Sequence, residues 1–187
     1  MIVEAFVLSI VIGLIRKGSL QNIGRIPLRH FYLFCVPFLV FAVVSTIAVS
    51  ISHKSLMPYI HLADIGQYVV LLTAVCLNLH MREMFLVGAG TLSNLVVLAV
   101  NGGAMPVSSA ALKAAGLAGA LGSQPVRHSL MTPQTHLKWL ADVIPLPTSS
   151  PFFSQVMSVG DILVSIGLFI LIQHYIRHPA KEPSTGG

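Results

Sequence analysis

The stretch from Phe31 to Ile51 runs for 21 residues without one charged side chain. A bilayer core about 30 Å thick takes about 20 residues of helix. In water, such a run would have to be covered on every side by other protein. The rest of the chain cannot provide that cover: 55% of its 187 residues are hydrophobic and 9% are charged, against about 25% charged in soluble domains. The sequence therefore predicts a membrane protein. Further spans are expected near 2–17, 65–79, 84–100 and 157–175. Only His80 to Glu83 separate the third and fourth apolar runs, which forces an antiparallel hairpin. The first run has no basic residues before it and no small-x-small cleavage pattern. It reads as a first helix rather than a secretory signal.

The basic residues set the orientation, because they concentrate on the cytoplasmic side. With the N-terminus outside, Arg16, Lys17, Arg25, Arg29, Arg82, Arg177 and Lys181 face the cytoplasm. Lys54, Lys113, Arg127 and Lys138 fall outside. The expected architecture is all-α and polytopic: a single integral membrane domain over 1–178, with about five transmembrane helices. The N-terminus is outside and the C-terminus cytoplasmic. The Pro-, Ser- and Gly-rich tail 179–187 reads as disordered. The net charge of +5 is scattered among apolar spans, so it does not form a nucleic-acid surface. The expected partner is the lipid bilayer of the cell membrane.

Residues 101–156 form an outer connection too long to be a plain turn. With Trp139, several leucines and few charges, it reads as a structured lid with short helices. One helix is expected at Thr135–Ala141, with Trp139 as an interfacial anchor and Pro145 and Pro147 ending regular structure. Ala104–Gly122 is apolar but carries Lys113 at its centre. A lysine there costs about 2.5–3.5 kcal/mol on insertion, so an interfacial or re-entrant segment is expected. Ala110, Ala114, Ala118 and Gly122 recur every fourth position, beside Ala111, Ala115 and Gly119. Such a ladder packs against neighbouring helices of the same chain, or forms a face for a homo-oligomer or another membrane protein.

Polar groups inside a membrane are costly, and so are candidates for function. On a 3.6-residue period, Asp64, Gln67, Leu71, Ala74 and Asn78 share a stripe. So do Gly90, Asn94, Val97 and Asn101, and likewise Ser158, Asp161, Ser165, Leu168 and Ile172. Asp64, Gln67, Asn94, Asn101, Ser158 and Asp161 then lie toward the outer ends, where facing stripes would line a polar pocket. His136 and Asp142 of the lid complete the candidate set. The plain alternative is capping by Asp64 and Ser158, a helix-dipole role for Asp161 and interhelical bonding by Asn94.

His53, His61, His128 and His136 fall on the same outer side, but none shows metal-ligand spacing, and no metal or cofactor follows from the sequence. Cys35 and Cys76 lie inside apolar runs and read as small buried hydrophobes. There is no nucleophile elbow, phosphate loop or dinucleotide fingerprint. Gly88 to Asn94 is glycine-rich only within an apolar helix, where close packing explains it.

Three motifs follow one another: Asn101-Gly102-Gly103-Ala104-Met105-Pro106, then Leu140 to Pro145, then Met157-Ser158-Val159-Gly160-Asp161. In this the chain resembles an uncharacterised family, a domain of unknown function, of small bacterial integral membrane proteins. The resemblance spans most of the chain. It implies a prokaryotic cell membrane and a shared pattern containing Asn101, Asp142, Ser158 and Asp161, with no role attached to any of them. The expected function is non-catalytic: an outward-facing polar pocket that binds a small solute or lipid headgroup, or a subunit of a membrane complex. The alternative is a membrane enzyme acting on a lipid-linked substrate through Asp142, Asp161 and His136.

Overall fold

The computed structural model describes residues 2–51, 57–117, 128–146 and 154–177. His53, Lys54, Ala118, Gly119, Gly122, Arg127, Pro147, His178, Lys181 and the tail 179–187 lie outside the described residues. The chain is mostly helical. In order come α1 (Ile2–Ile15), α2 (Leu20–Ile23), α3 (Tyr32–Ile51), α4 (Met57–Cys76), α5 (Met84–Val100), β1 (Met105–Val107), α6 (Ser109–Ala114), β2 (His128–Leu130), β3 (Ile144–Leu146), β4 (Gln155–Met157) and α7 (Val159–Arg177). Among the described residues, Pro58–Cys76 and Val159–Arg177 are long and apolar enough to cross a membrane. Ile2–Ile15 and Met84–Val100 are shorter apolar helices.

The long helices pack in the spatial order α3–α4–α5–α7–α1. The α5–α7 pair is antiparallel. Asn94 meets Ser158 and Asp161 at one end, and Val87 lies against Gly167 at the other. The α1–α7 pair is parallel. Ser9 donates to the Phe169 carbonyl at 3.0 Å, and Gly13 lies against Ile176 further along both helices. Glycine at Gly13, Gly90, Gly160 and Gly167 lets the backbones come this close, as small residues do at helix crossings.

One end of the bundle is tied by amides. Asn78 accepts from the Arg29 N–H at 2.8 Å and donates to the Arg29 and Ala74 carbonyls. The Ile176 carbonyl, left open at a helix end, accepts from Ser19 N–H and the Asn22 amide. Val75, Met81, Met84 and Leu171 form the core beside these ties. A second core of Val97, Leu98, Met105 and Ala141 joins α5 to the lid.

Several boundaries differ from the sequence expectation. The helix expected from residue 65 begins at Met57 instead, because Pro58 is compatible with a first helical turn. Asp64 is therefore inside α4 and is not its cap. That helix ends at Cys76, which puts Asn78 in a turn. The first helix stops at Ile15, where Lys17 takes a positive φ of 64°. Residues 155–157 form a strand, and the last helix starts at Val159.

The lid differs more. Its described residues form two small two-stranded sheets, which a purely α-helical reading excluded: β1 with β2 in parallel, and β3 with β4 antiparallel. Thr135–Ala141 makes turns instead of a helix. Leu137 has φ 50° there, a conformation that does not propagate a right-handed helix. Among the described residues of the small-residue segment only Ser109–Ala114 is helical, capped by the Ser108 hydroxyl and ended at Gly116 with φ 73°. The four-residue ladder therefore does not run along one helix through Gly116, and Lys113 sits exposed at a helix end.

Candidate functional site

Asn101-Gly102-Gly103-Ala104-Met105-Pro106 is the turn from α5 into the lid. Gly102 and Gly103 have φ of 73° and 87°, which glycine adopts without steric cost. The Gly103 N–H closes the helix by donating to the Leu98 carbonyl at 2.8 Å. A Cβ on Gly103 would stand 2.8 Å from the His61 carbonyl oxygen, so glycine also lets α4 approach the turn. Asn101 then holds the lid down. Its amide donates to the Val97 and His136 carbonyls, and its oxygen accepts from the His136 N–H at 3.0 Å.

Directly beneath lies a knot of three candidates. Ser158 precedes α7, and its hydroxyl accepts from the Asp161 N–H at 2.9 Å. Asp161 returns a carboxylate oxygen to the Ser158 N–H at 3.2 Å. This reciprocal cap satisfies two N–H groups that a helix start leaves open. Asn94 joins both: its amide donates to Asp161 Oδ1, and its oxygen accepts from the Ser158 hydroxyl, each at 2.9 Å. Ser158 and Asn94 are fully buried. Serine is needed at 158 for its donor and acceptor on one atom, and asparagine at 94 for its two opposite ends.

That economy gives a testable expectation. Ser158→Ala removes a cap worth about 1 kcal/mol and leaves the buried Asn94 oxygen without its donor, about 1–3 kcal/mol. Thermal unfolding should show a loss of about 2–4 kcal/mol. A double-mutant cycle with Asn94→Ala should show coupling. Additive losses would rule the knot out as a unit.

Asp142 lies in the lid segment that fills against β1. Its N–H donates to the Pro106 carbonyl and its carbonyl accepts from the Ser108 N–H. Pinned this way, the residue is 4% exposed. One carboxyl oxygen is 3.6 Å from His128 Nε2; the other has no hydrogen-bond partner among the described residues. Burial, and secondly the charge of Asp161, push the Asp142 carboxyl up to about 8. A carboxyl in that range exchanges protons near neutral pH.

The structure brings Asn94, Ser158 and Asp161 into direct contact and sets Asp142 within electrostatic reach of them. Asp64 and Gln67 are buried on α4, at 3% and 4% exposure. Gln67 faces a cleft of about 410 Å³ between α3 and α4, with Tyr32, Val36 and Val70. Asn101 is half-buried and engages the lid backbone. His136 is exposed; its bonds to Asn101 are made by its backbone.

The imidazole beside Asp142 is His128 instead. Sequence reasoning grouped it with the outer histidines, but only the parallel pairing of β1 with β2 brings it to that carboxyl. His61, whose Nε2 is buried without a partner among the described residues, was not singled out. Neither was Glu4, which accepts from Gln155 at 2.9 Å. Both sit near helix starts, where a polar residue looks unremarkable. Among the described residues, no three His, Cys, Asp or Glu side chains gather to hold a metal ion.

A protein of Thermotoga maritima, itself described as uncharacterized, is 28% identical over 188 residues, covering 98% of each chain. No solved structure matches. A family model covers residues 25–173, which include the α5 turn, the Asp142 segment and the Ser158–Asp161 cap. The chain belongs to DUF5317, a family of unknown function.

Proposed function

We propose that this chain is a non-catalytic, multi-pass protein of the cell membrane. In this reading α1, α3, α4, α5 and α7 cross the bilayer, with the N-terminus outside. The chain binds a small solute or a lipid headgroup where the outer helix ends meet the lid, alone or as a subunit of a membrane complex. The distribution of side chains supports the membrane placement, because it is reversed from that of a water-soluble bundle. Val3, Ile15, Leu39, Leu62 and Phe85 are each 60% or more exposed, while Asp64, Gln67, Asn78 and Asn94 are buried. Lipid is the solvent in which that reversal costs least. Alternation of the five helices supports an odd number of crossings.

The observation that carries the binding reading is Asp142. A buried carboxyl oxygen without a partner is expensive, and a ligand hydroxyl or ammonium would complete it. The test is native mass spectrometry of protein purified with its own lipids. Wild type should carry a discrete small adduct, and Asp142→Asn should lose it. Identical unadorned spectra for both would overturn the reading. The second reading, an enzyme of Asp/His acid–base type, draws on the 3.6 Å separation of Asp142 and His128. It requires turnover of the bound molecule, abolished in His128→Gln with binding retained.

A further inference from the structure

The basic residues are scattered in the sequence, but the fold collects six of them at one end of the bundle. Hydrogen bonds that cross between elements do this. Arg16, just after α1, donates to the Gln173 side chain near the end of α7 at 3.1 Å. Ser19 N–H and the Asn22 amide donate to the Ile176 carbonyl, so the segment after α1 crosses the end of α7. Arg29 N–H donates to Asn78, and the His80 ring meets the Pro27 carbonyl at 3.2 Å. Residues 27–29 therefore lie against the turn between α4 and α5. Glu83 accepts from the His174 ring, which brings that turn to α7. Arg16, Lys17, Arg25, Arg29, Arg82 and Arg177 thus share one surface, and all six are exposed. Among the described residues of this end the one carboxylate is Glu83, already held by His174.

The half of this surface built from residues 25–32 and the α4–α5 turn has the more definite form. Ile26 and Leu28 pack against the core of Val75, Met81, Met84 and Leu171. They alternate with Arg25, Pro27 and Arg29, which are exposed, as neighbours in an extended stretch do. Arg82 is exposed on the adjoining turn. Beside these cations, where α3 and α5 start, Phe31, Tyr32 and Phe85 are 60%, 57% and 60% exposed.

An occupant of this half must therefore bring an anion to the arginines and hydrocarbon to the rings. A guanidinium takes two phosphate oxygens at once, and aromatic rings at this level are at home beside lipid headgroups. A polynucleotide or an acidic peptide would meet the cations and leave the rings uncovered. An anionic glycerophospholipid meets both. We propose that this half of the surface holds the headgroup of such a lipid, with its phosphodiester between Arg29 and Arg82 and its acyl chains beside Phe31 and Phe85. The proposal rests on the membrane placement above but not on the Asp142 site, which lies at the opposite end.

The test follows the melting curve of the detergent-purified protein as a short-chain phosphatidylglycerol is added. A ligand that binds only the folded state raises Tm by mass action. The rise should saturate, and phosphatidylcholine of the same chain length should give none. Arg29→Gln with Arg82→Gln should move the half-saturation point to about ten-fold more lipid. Arg29 bonds Asn78 through its backbone, so this variant keeps that tie, and its melting point without lipid should match the wild type. Lys113→Gln with Lys138→Gln, which removes the same charge from the lid, should leave the half-saturation point unchanged. Glycerol phosphate, an anion without acyl chains, should bind at least about ten-fold more weakly than the lipid.

Equal titrations for the wild type and the double arginine variant, or for the two headgroups, would overturn the proposal. So would glycerol phosphate that matches the lipid, since the site would then take a free phosphate. A short single-stranded oligonucleotide that gives the same shift at the same salt would overturn it too, since any polyanion would then fill the surface. If the membrane placement itself is wrong, the protein will stay in the aqueous fraction without detergent, before any lipid is added.

Discussion

Gly160→Ala is expected to unfold the α5–α7 contact and with it most of the protein's thermal stability. A Cβ at this position would overlap the Asn94 amide oxygen and stand 2.6 Å from the Gly90 carbonyl oxygen. Neither neighbour can move cheaply. Asn94 is held between Ser158 and Asp161, and Gly90 is backbone inside a helix whose own substitution would meet Val164 at 2.8 Å. Overpacking alone costs about 1–3 kcal/mol, and displacing Asn94 breaks two buried bonds at about 1 kcal/mol each. The sum, about 3–5 kcal/mol, is a large share of the 5–15 kcal/mol that holds a typical domain together. Gly66→Ala is the matched control, because a Cβ there meets nothing within 4 Å. It should be neutral or stabilise by about 0.5–1 kcal/mol. If both variants melt with the wild type, the close crossing does not exist as described.

Asp142→Asn should raise stability at alkaline pH and change little in acid. In the folded protein the carboxyl holds its proton until about pH 8, against 3.8 when unperturbed. Between those values the folded state binds a proton that the unfolded chain has released, so stability falls as pH rises through the window. Below it both states are protonated, and above it both are ionised, so the slope disappears at each end. Asparagine keeps the shape of the protonated carboxyl without titrating. The variant should therefore melt higher than wild type at pH 8 by at least about 2–4 °C, the equivalent of about 1 kcal/mol, with the gap closing toward pH 4. Two neighbouring side chains bear on the result. The Asp161 charge widens the window, and His128, when protonated, narrows it by favouring the carboxylate. A parallel pH series for both proteins checks this, and equal slopes would reject the buried, protonated Asp142.

Much of the helical frame is legible because a single rule governs it. An apolar run free of charge has few alternatives to a helix, and Met84–Val100 is bounded at the expected residues. The stripes are legible only in part: Asp64, Gln67 and Asn94 are buried on their helices, while Ser158 lies before α7 and Asn78 lies in a turn beyond α4, so neither is placed by a helical period. The lid is less so. Thr135 to Ala141 has the spacing of an amphipathic helix, yet Leu137 turns left-handed and Asn101 captures the His136 backbone. That outcome depends on a partner 35 residues away, and local pattern carries no trace of it. The pairing of Met105–Val107 with His128–Leu130 is likewise non-local. It alone decides that His128, and not His136, stands beside Asp142. Ser158 and Asp161 illustrate the overlap of two readings. They cap a helix, and the same two side chains hold Asn94.

The parallel pairing of α1 with α7 also bears on how the protein is made. Ser9 and Phe169, bonded to each other, lie 160 residues apart, so α1 finds this partner only after α7 has been synthesised. Until then the polar groups of α1, Glu4 and Ser9, have no α7 or β4 to meet, and the bundle assembled meanwhile from α3, α4 and α5 lacks both of its final members. Synthesis of α1 and its docking are therefore separate events. A ribosome stalled before Val159 would hold a chain whose α1 remains accessible to cross-linkers, chaperones and proteases. Release of α7 is what closes that interval.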